Sequence, residues 1–305
     1  MDTIAHGLAG AVIGYCGFRQ RAGRAALAAS VLGAEFPDID IVLLLVNSET
    51  YLNWHRGITH SVLLLPVWSW IVAFLVWDMM GRKNFRILWG ASAAGMLSHL
   101  VMDWITSYGT MLLSPVSDAR FSLNLVFILD PYVWAMLGVG LWAVIRSQKP
   151  RPGLICIGVL CAYLLLCSAA KLHARHEARR EGGSGELTAY AQPLRPFSWT
   201  VVRDEGKAVY WSADGKTEMF EQFYDDDLLP KAEATEAVKT FRWFAANPVV
   251  EKLTENGRTV LRYRDLRFRS PLPWGTVREG LFVVAKVAFD SHGNVIASGL
   301  ASEDR

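Results

Sequence analysis

Four of the chain's seven histidines, His6, His55, His60 and His99, lie in its first hundred residues. Each has a carboxylate or another histidine close by in sequence. His55 and His60 sit in the polar stretch NWHRGITHS, residues 53–61, between apolar segments. His99 and Asp103 stand four apart, so on a helix both project from one face. Asp38 and Asp40 follow Pro37, which biases Phe36 out of the helical region and places both carboxylates at a break. Taken singly, each pattern has a plain explanation: a hydrogen-bonded His–Asp pair, a turn or helix cap, polar loop residues. Taken together, His6, Asp38, Asp40, His55, His60, His99 and Asp103 form a set of mixed imidazole and carboxylate donors. Such donors suit zinc foremost, and manganese or iron(II) as well. One or two ions per chain are expected, and a pair could clamp the attacking and leaving oxygens of a displacement.

Three of these neighbourhoods also suit catalytic roles. Asp38 or Asp40 could bridge ions or orient a water, with Asp38 favoured because Pro37 fixes the chain just before it. Arg56 adjoins the histidines and suits a phosphate or carboxylate of a substrate. It suits equally well a salt bridge to Asp38 or Glu35, or snorkelling to lipid headgroups.

The elements that must position these groups are apolar. A helix is expected over residues 4–18, capped by Thr3 and carrying Gly10 and Gly14 as close-packing positions. Another is expected over residues 25–33. Residues 61–80, 87–105, 125–145 and 153–170 each approach the roughly 20 residues that cross a bilayer. Basic connections (Arg19, Arg21 and Arg24; Arg82, Lys83 and Arg86; Arg146, Lys149 and Arg151) alternate with connections holding only Arg56 and Arg120. The basic ones are expected inside. Arg24 to Asp38 and Arg86 to His99 then each measure roughly 20 Å of helix. The candidate ligands would all arrive near the opposite, outer face. Ionisable groups at membrane depth are costly and usually functional.

The chain's 305 residues allow two domains, and 52% of them are hydrophobic. Mean hydropathy is +0.22, with the excess before about Ala170. A net charge of +2 gives no global basic field, so a nucleic-acid partner is not expected. Cys16, Cys156, Cys161 and Cys167 form no CxxC pair and read as buried thiols. Asp2 precedes the first apolar run and the arginines follow it, the reverse of a signal peptide. Residues 171–185 read as a helix end and linker. Beyond them a small α+β domain is expected. It holds a hairpin turning at Asp214-Gly215, a helix over 232–246, and strands over 249–253, 259–268, 281–289 and 295–300.

The first 145 residues or so resemble the YdjM-like family of LexA-regulated, inner-membrane-associated, metal-dependent hydrolases. The resemblance rests on Asp2-Thr3-x-x-His6, Pro37-Asp38-Ile39-Asp40, His55-Arg56-Gly57-Ile58-Thr59-His60-Ser61, Ser98-His99-x-x-x-Asp103 and Thr106-Ser107-Tyr108-Gly109-Thr110. That family is similar in turn to zinc-dependent phospholipase C and P1-type nucleases. They are all-helical and build a metal cluster from a His, an Asp, another His and a His-x-x-x-Asp helix. The resemblance implies His6, Asp38 or Asp40, His60 or His55, and His99 with Asp103 in those places. The later His-x-x-x-Glu pair of those enzymes has no match here, which implies one or two ions and not three.

The resulting expectation is an all-α polytopic membrane domain over residues 1–170, a phospholipase C/P1 nuclease-like helical bundle. A linker over 171–186 and a soluble α+β domain over 187–305 follow it. The protein would sit multi-pass in a bacterial inner membrane, with its C-terminal domain periplasmic. It would hydrolyse a phosphoester or other ester at the outer face, with membrane lipids as partners and a lipid or phosphoester as substrate. An ion- or proton-conducting transporter, or a non-catalytic scaffold with a structural metal, are the alternatives.

Overall fold

The computed structural model describes residues 1–225, 227–255, 257–278 and 283–302. The chain divides into two compact units, Met1–Leu45 with Trp54–Ser168, and Val46–Asn53 with Ala169–Arg305.

The first unit is helical. Helix α1, Thr3–Ile13, is capped by Asp2, whose Oδ1 accepts the Ala5 N–H at 3.1 Å. Asp2, not Thr3, therefore starts the helix, and one residue later in the turn His6 is already buried. A π-helical segment, Gly14–Phe18, and α2, Arg19–Glu35, follow; the chain reverses at Gly17 and Gly23, where φ is positive. After α2 the backbone tightens to a 3-10 helix, Phe36–Leu45; Phe36, expected outside the helical region, keeps helical dihedrals (φ -57, ψ -41), so the chain changes helix type at Pro37 without leaving the helical region. Helix α3, Ser48–Trp54, belongs to the second unit up to Asn53, and the chain re-enters the first at Trp54, ahead of a single 3-10 turn, Ile58–His60. Helices α4, Leu65–Met79, α5, Phe85–Trp104, and α6, Pro131–Ser147, complete the unit with the first part of α7, Arg151–Arg180.

Helix α2 lies against α5 closely enough that side chains are excluded at the crossing. A Cβ on Gly33 would sit 2.3 Å from the Ser92 carbonyl oxygen, and one on Gly95 would sit 2.0 Å from that of Ser30. Ser30 also donates its hydroxyl to the Gly10 carbonyl at 2.8 Å, tying α1 to the same seam. This packing sets the end of α2, and Asp38 just beyond it, beside the His99–Asp103 face of α5.

The expected polytopic all-α membrane bundle is not what the chain forms. Among the described residues one helix, α7, is long and apolar enough to cross a membrane. The stretch 61–80 yields only 15 helical residues in α4, roughly 22 Å at 1.5 Å per residue. That falls short of a hydrocarbon core of about 30 Å. In the stretch 125–145 the helix begins at Pro131 because Asp130 caps it, accepting the Tyr132 and Val133 N–H groups. Helix α5 has the length but spends it on Arg86, His99 and Asp103. The alternation of basic connections therefore orients no multi-pass chain. Helix α7 also runs on through 171–180, residues expected to belong to a linker.

The second unit holds two antiparallel four-stranded sheets. One is the meander β1 (Glu186–Gln192), β2 (Arg195–Asp204), β3 (Ala208–Ala213) and β4 (Lys216–Glu221). Its last hairpin turns at Asp214 and Gly215, both with positive φ, as the two-residue loop requires. The other sheet contains β5 (Pro248–Glu255), β6 (Arg258–Asp265), β9 (Val283–Phe289) and β10 (Val295–Ser302), in the order β10-β9-β6-β5. Short strands β7 (Ser270–Pro271) and β8 (Val277–Arg278) pair between them in sequence. The helix expected over 232–246 is two, α8 (Leu228–Glu233) and α9 (Glu236–Phe244), separated where Thr235 caps the second. Phe241 and Val238 of α9 pack with Leu261, Tyr263, Val287 and Phe289. Of the strand expected over 281–289, residues 281 and 282 lie outside the described residues, as do 303–305 at the end of the expected domain.

Candidate metal centre

Asp38, His60, His99 and Asp103 converge so that one donor atom from each lies within 4.8 Å of the others. His60 Nε2 is 3.0 Å from His99 Nε2, 3.5 Å from Asp38 Oδ1 and 3.2 Å from Asp103 Oδ2. His99 Nε2 is 3.5 Å from Asp38 Oδ1 and 3.4 Å from Asp103 Oδ2. A tetrahedron built on metal–ligand bonds of 2.0–2.1 Å has edges of about 3.3–3.4 Å. The five separations that involve a histidine thus stand at nearly the spacing that a single zinc-like ion would impose, and Asp38 and Asp103 lie within 4.8 Å of each other. Asp103 Oδ2 is buried and faces His60 Nε2 and His99 Nε2, an acceptor that a cation would satisfy in place of the His60 proton. The residues present fit the ion that the donor types suggest.

Outer partners hold both imidazoles with Nε2 turned inward. His99 Nδ1 donates to the Ala34 carbonyl at the end of α2, 2.6 Å away. His60 Nδ1 lies 3.0 Å from Thr59 Oγ1, and that hydroxyl donates to Asp40 Oδ2 at 3.1 Å. With an ion bound, each ring would keep its proton on Nδ1 and offer the Nε2 lone pair, as second partners of metal-bound histidines do.

Asp40 lies behind the four. Its Oδ1 meets His55 Nδ1 at 2.8 Å, and its Oδ2 accepts the Arg56 backbone N–H at 3.0 Å. It organises the whole loop 55–60. His55 packs edge-on to Tyr108, and its carbonyl accepts Arg120 Nη2 at 3.1 Å. His6 stacks on His99 with ring centroids 3.6 Å apart and places Nε2 3.4 Å from Asp103 Oδ1. All seven expected donors therefore gather in one neighbourhood. Four face a common point, and His6, Asp40 and His55 surround them.

Arg56 is held inside the protein. It is 2% exposed, with Nη2 on Asp103 Oδ1 at 2.8 Å and Nη1 on Thr106 Oγ1 at 3.1 Å. The guanidinium lies over the Tyr108 ring. Its ion-pair partner is Asp103, neither Asp38 nor Glu35. Its positive φ is uncommon for a residue with a side chain, and the bonds from its backbone and side chain fix it there.

Carboxylates and cations are paired closely at the centre, with Asp103 meeting both the Arg56 guanidinium and the Met1 amine. Burial alone would lower the His60 pKa, but hydrogen bonds to Asp103, Asp38 and Asp40 push it up to about 10. Burial would raise Asp38 and Asp40, yet bonds from His60 and His99 to the first, and from His55 and His60 to the second, hold both well below the usual carboxylate range. Asp103, opposed by burial and held by the Arg56 charge, is likewise ionised. His6 is pushed down to about 3, first by burial and then by its neighbour His99, and so stays neutral. Ionised carboxylates are the form that binds divalent ions, whereas His60 must give up a proton before it can do so.

Sequence reasoning missed the supporting groups. Thr59 stands in the motif 55–61 without a role assigned to it. Its hydroxyl bridges His60 to Asp40. Thr106 and Tyr108 lay inside the motif 106–110 without a role assigned to them. The Ala34 carbonyl carries no sequence signal.

Residues 1–174 match the family described as YdjM inner membrane protein. Over 290 residues the chain is 24% identical to YfhP of Bacillus subtilis (strain 168), an uncharacterized protein, with 88% of each chain covered. No solved structure matches.

Proposed function

From a chain that belongs to the YdjM inner membrane protein family, we propose a membrane-associated, metal-dependent hydrolase of a phosphoester or other ester. The observation that carries this is the near-tetrahedral set of His60, His99, Asp38 and Asp103. Two nitrogen and two oxygen donors without thiolate favour zinc, with manganese or iron(II) as substitutes. A divalent ion held there would polarise a phosphoryl or carbonyl oxygen and acidify a water.

The protein's own groups divide the work. Asp38 is 22% exposed, whereas the side chains of His60, His99 and Asp103 are sealed. Substrate therefore approaches from the Asp38 side. His99 and His60 are held in orientation by the Ala34 carbonyl and by Thr59 with Asp40. Arg56 balances the Asp103 charge from behind. His55, on Asp40, stands beside His60 with ring centroids 5.9 Å apart, placed to relay a proton along the Asp40 edge.

A second reading has its own support. Four protein donors close a tetrahedron, as in structural zinc sites, whereas catalytic sites commonly keep three and an open position. The two readings part at Asp38. Purified full-length protein should carry a divalent ion by elemental analysis and should hydrolyse members of a phosphoester and carboxylic ester panel. In the structural reading the ion is present and no ester is cleaved. Absence of any bound ion after metal supplementation would sink both.

A further inference from the structure

Helix α5 carries a second feature at the level of the centre. His99 and Asp103 lie on one flank, and Leu97, Val101 and Trp104 recur at helical spacing on another. These three, with Val62, Leu100 and Phe121, line an open groove of about 300 Å³ whose walls are all apolar residues. The groove is built from chain neighbours of the metal donors: Val62 is two residues from His60, Leu100 follows His99, and Trp104 follows Asp103. The Val62 N–H is already spent on the Leu112 carbonyl at 2.9 Å, so this wall offers no backbone donor.

The chemistry of the lining selects the occupant. A peptide strand would bring N–H and C=O groups with nothing to bond, and each unpaired group costs free energy. A sugar, a nucleotide or a free anion meets the same obstacle. A hydrocarbon chain leaves nothing unpaired. The surroundings supply one, since the chain belongs to an inner-membrane family and has a helix able to cross a bilayer.

We propose that this groove is a binding site for one hydrocarbon chain of a membrane lipid. The site holds that lipid alongside the metal centre, whether or not the centre is hydrolytic. Burial of each methylene is worth roughly a fourfold gain in affinity, up to the length that fills the groove.

The test uses full-length protein in lipid nanodiscs containing a trace of phospholipid with a photoactivatable group midway along one chain. Labelled peptides are mapped by mass spectrometry. Peptides spanning 97–104 should be labelled, and Val101→Trp, which fills the groove from a position 42% exposed, should cut that labelling at least fivefold while labelling on α7 is unchanged. The milder Leu97→Phe should give a smaller cut in the same direction, and thermal melting of both variants checks that they fold. Alkyl amphiphiles of increasing length should compete with the label and then level off in potency. Equal labelling in both variants, or potency that keeps rising with chain length, would mean bulk lipid contact and overturn the proposal. Labelling confined to α7 overturns it as well.

Discussion

Replacing Gly95 with alanine tests whether the α2–α5 seam sets the metal centre. The new Cβ would lie 2.0 Å from the Ser30 carbonyl oxygen, 2.9 Å from its carbon and 3.1 Å from the Ala34 nitrogen. These are backbone atoms inside α2 and cannot swing aside. An ordinary carbon contact needs roughly 3.5 Å, so the helices must part by about 1–1.5 Å. Ala34 and Asp38 travel with α2, and His99 stays with α5. The His99 Nε2–Asp38 Oδ1 separation of 3.5 Å would then exceed about 4.2 Å, the farthest that two donors with bonds of 2.1 Å can stand around one ion. Overpacking of this kind costs about 1–3 kcal/mol. Gly95→Ala should therefore lower the melting temperature and also lose bound metal. Gly138→Ala, in helix α6 with nothing within 4 Å of its added Cβ, is the control, and should gain up to about 1 kcal/mol from helix propensity. The assays are thermal melting and elemental analysis on both variants purified alike. Wild-type metal content in Gly95→Ala would show that α2–α5 contact does not place Asp38, and the structural argument for the centre would fail.

The two carboxylates of the 36–45 segment should separate by role. Asp38→Asn removes a donor and should abolish metal retention, whereas Asp40→Asn disturbs only the support of His60 and His55 and should weaken binding roughly 10–100-fold; equal losses by metal titration would contradict the division. Arg56→Met leaves the Asp103 charge buried without its guanidinium, and should cost the metal-free protein about 3–5 kcal/mol in chemical denaturation. Because the His60 pKa is raised to about 10, its ion pairs stabilise the metal-free protein fully below the ordinary value near 6.5, and that contribution is lost as pH rises through 10. Metal uptake at neutral pH should accordingly release a proton, with apparent affinity climbing up to tenfold per pH unit. Calorimetry in buffers of different ionisation enthalpy reads that proton, and buffer-independent heats would refute the protonated state of His60.

Local chemistry was legible in the sequence where a few neighbouring residues decide it. The Asp214-Gly215 pair turned a hairpin, and the i,i+4 spacing put His99 and Asp103 on one face. What failed was the step from apolar length to membrane passage. Hydropathy does not register that Asp130 caps a helix and so cuts residues 125–129 out of it, or that Ser61 is tied to the Ser114 carbonyl in a loop. Each of these short-range polar bonds removes residues from a run that composition alone would count as one span. Small-xxx-small spacing was visible at Gly10 and Gly14, but the residue of α2 that both glycines meet, Ser30, is a tertiary fact.

The site was legible as a set but not as a hierarchy. Seven donors were expected from residue type, and seven gather, yet no spacing separates the four that share a point from the three that surround them. That division is made by which nitrogen of each imidazole is already spent. His99 spends Nδ1 on the Ala34 carbonyl and His60 spends Nδ1 on Thr59, so both turn Nε2 inward. His55 spends Nδ1 on Asp40, and that same carboxylate is thereby occupied as an acceptor and cannot face the other four. Thus one aspartate two residues from another becomes its support and not its equal. The chain gains that distinction by closing the loop 55–60 over Asp40, with the Arg56 backbone and the Thr59 hydroxyl as the two clasps.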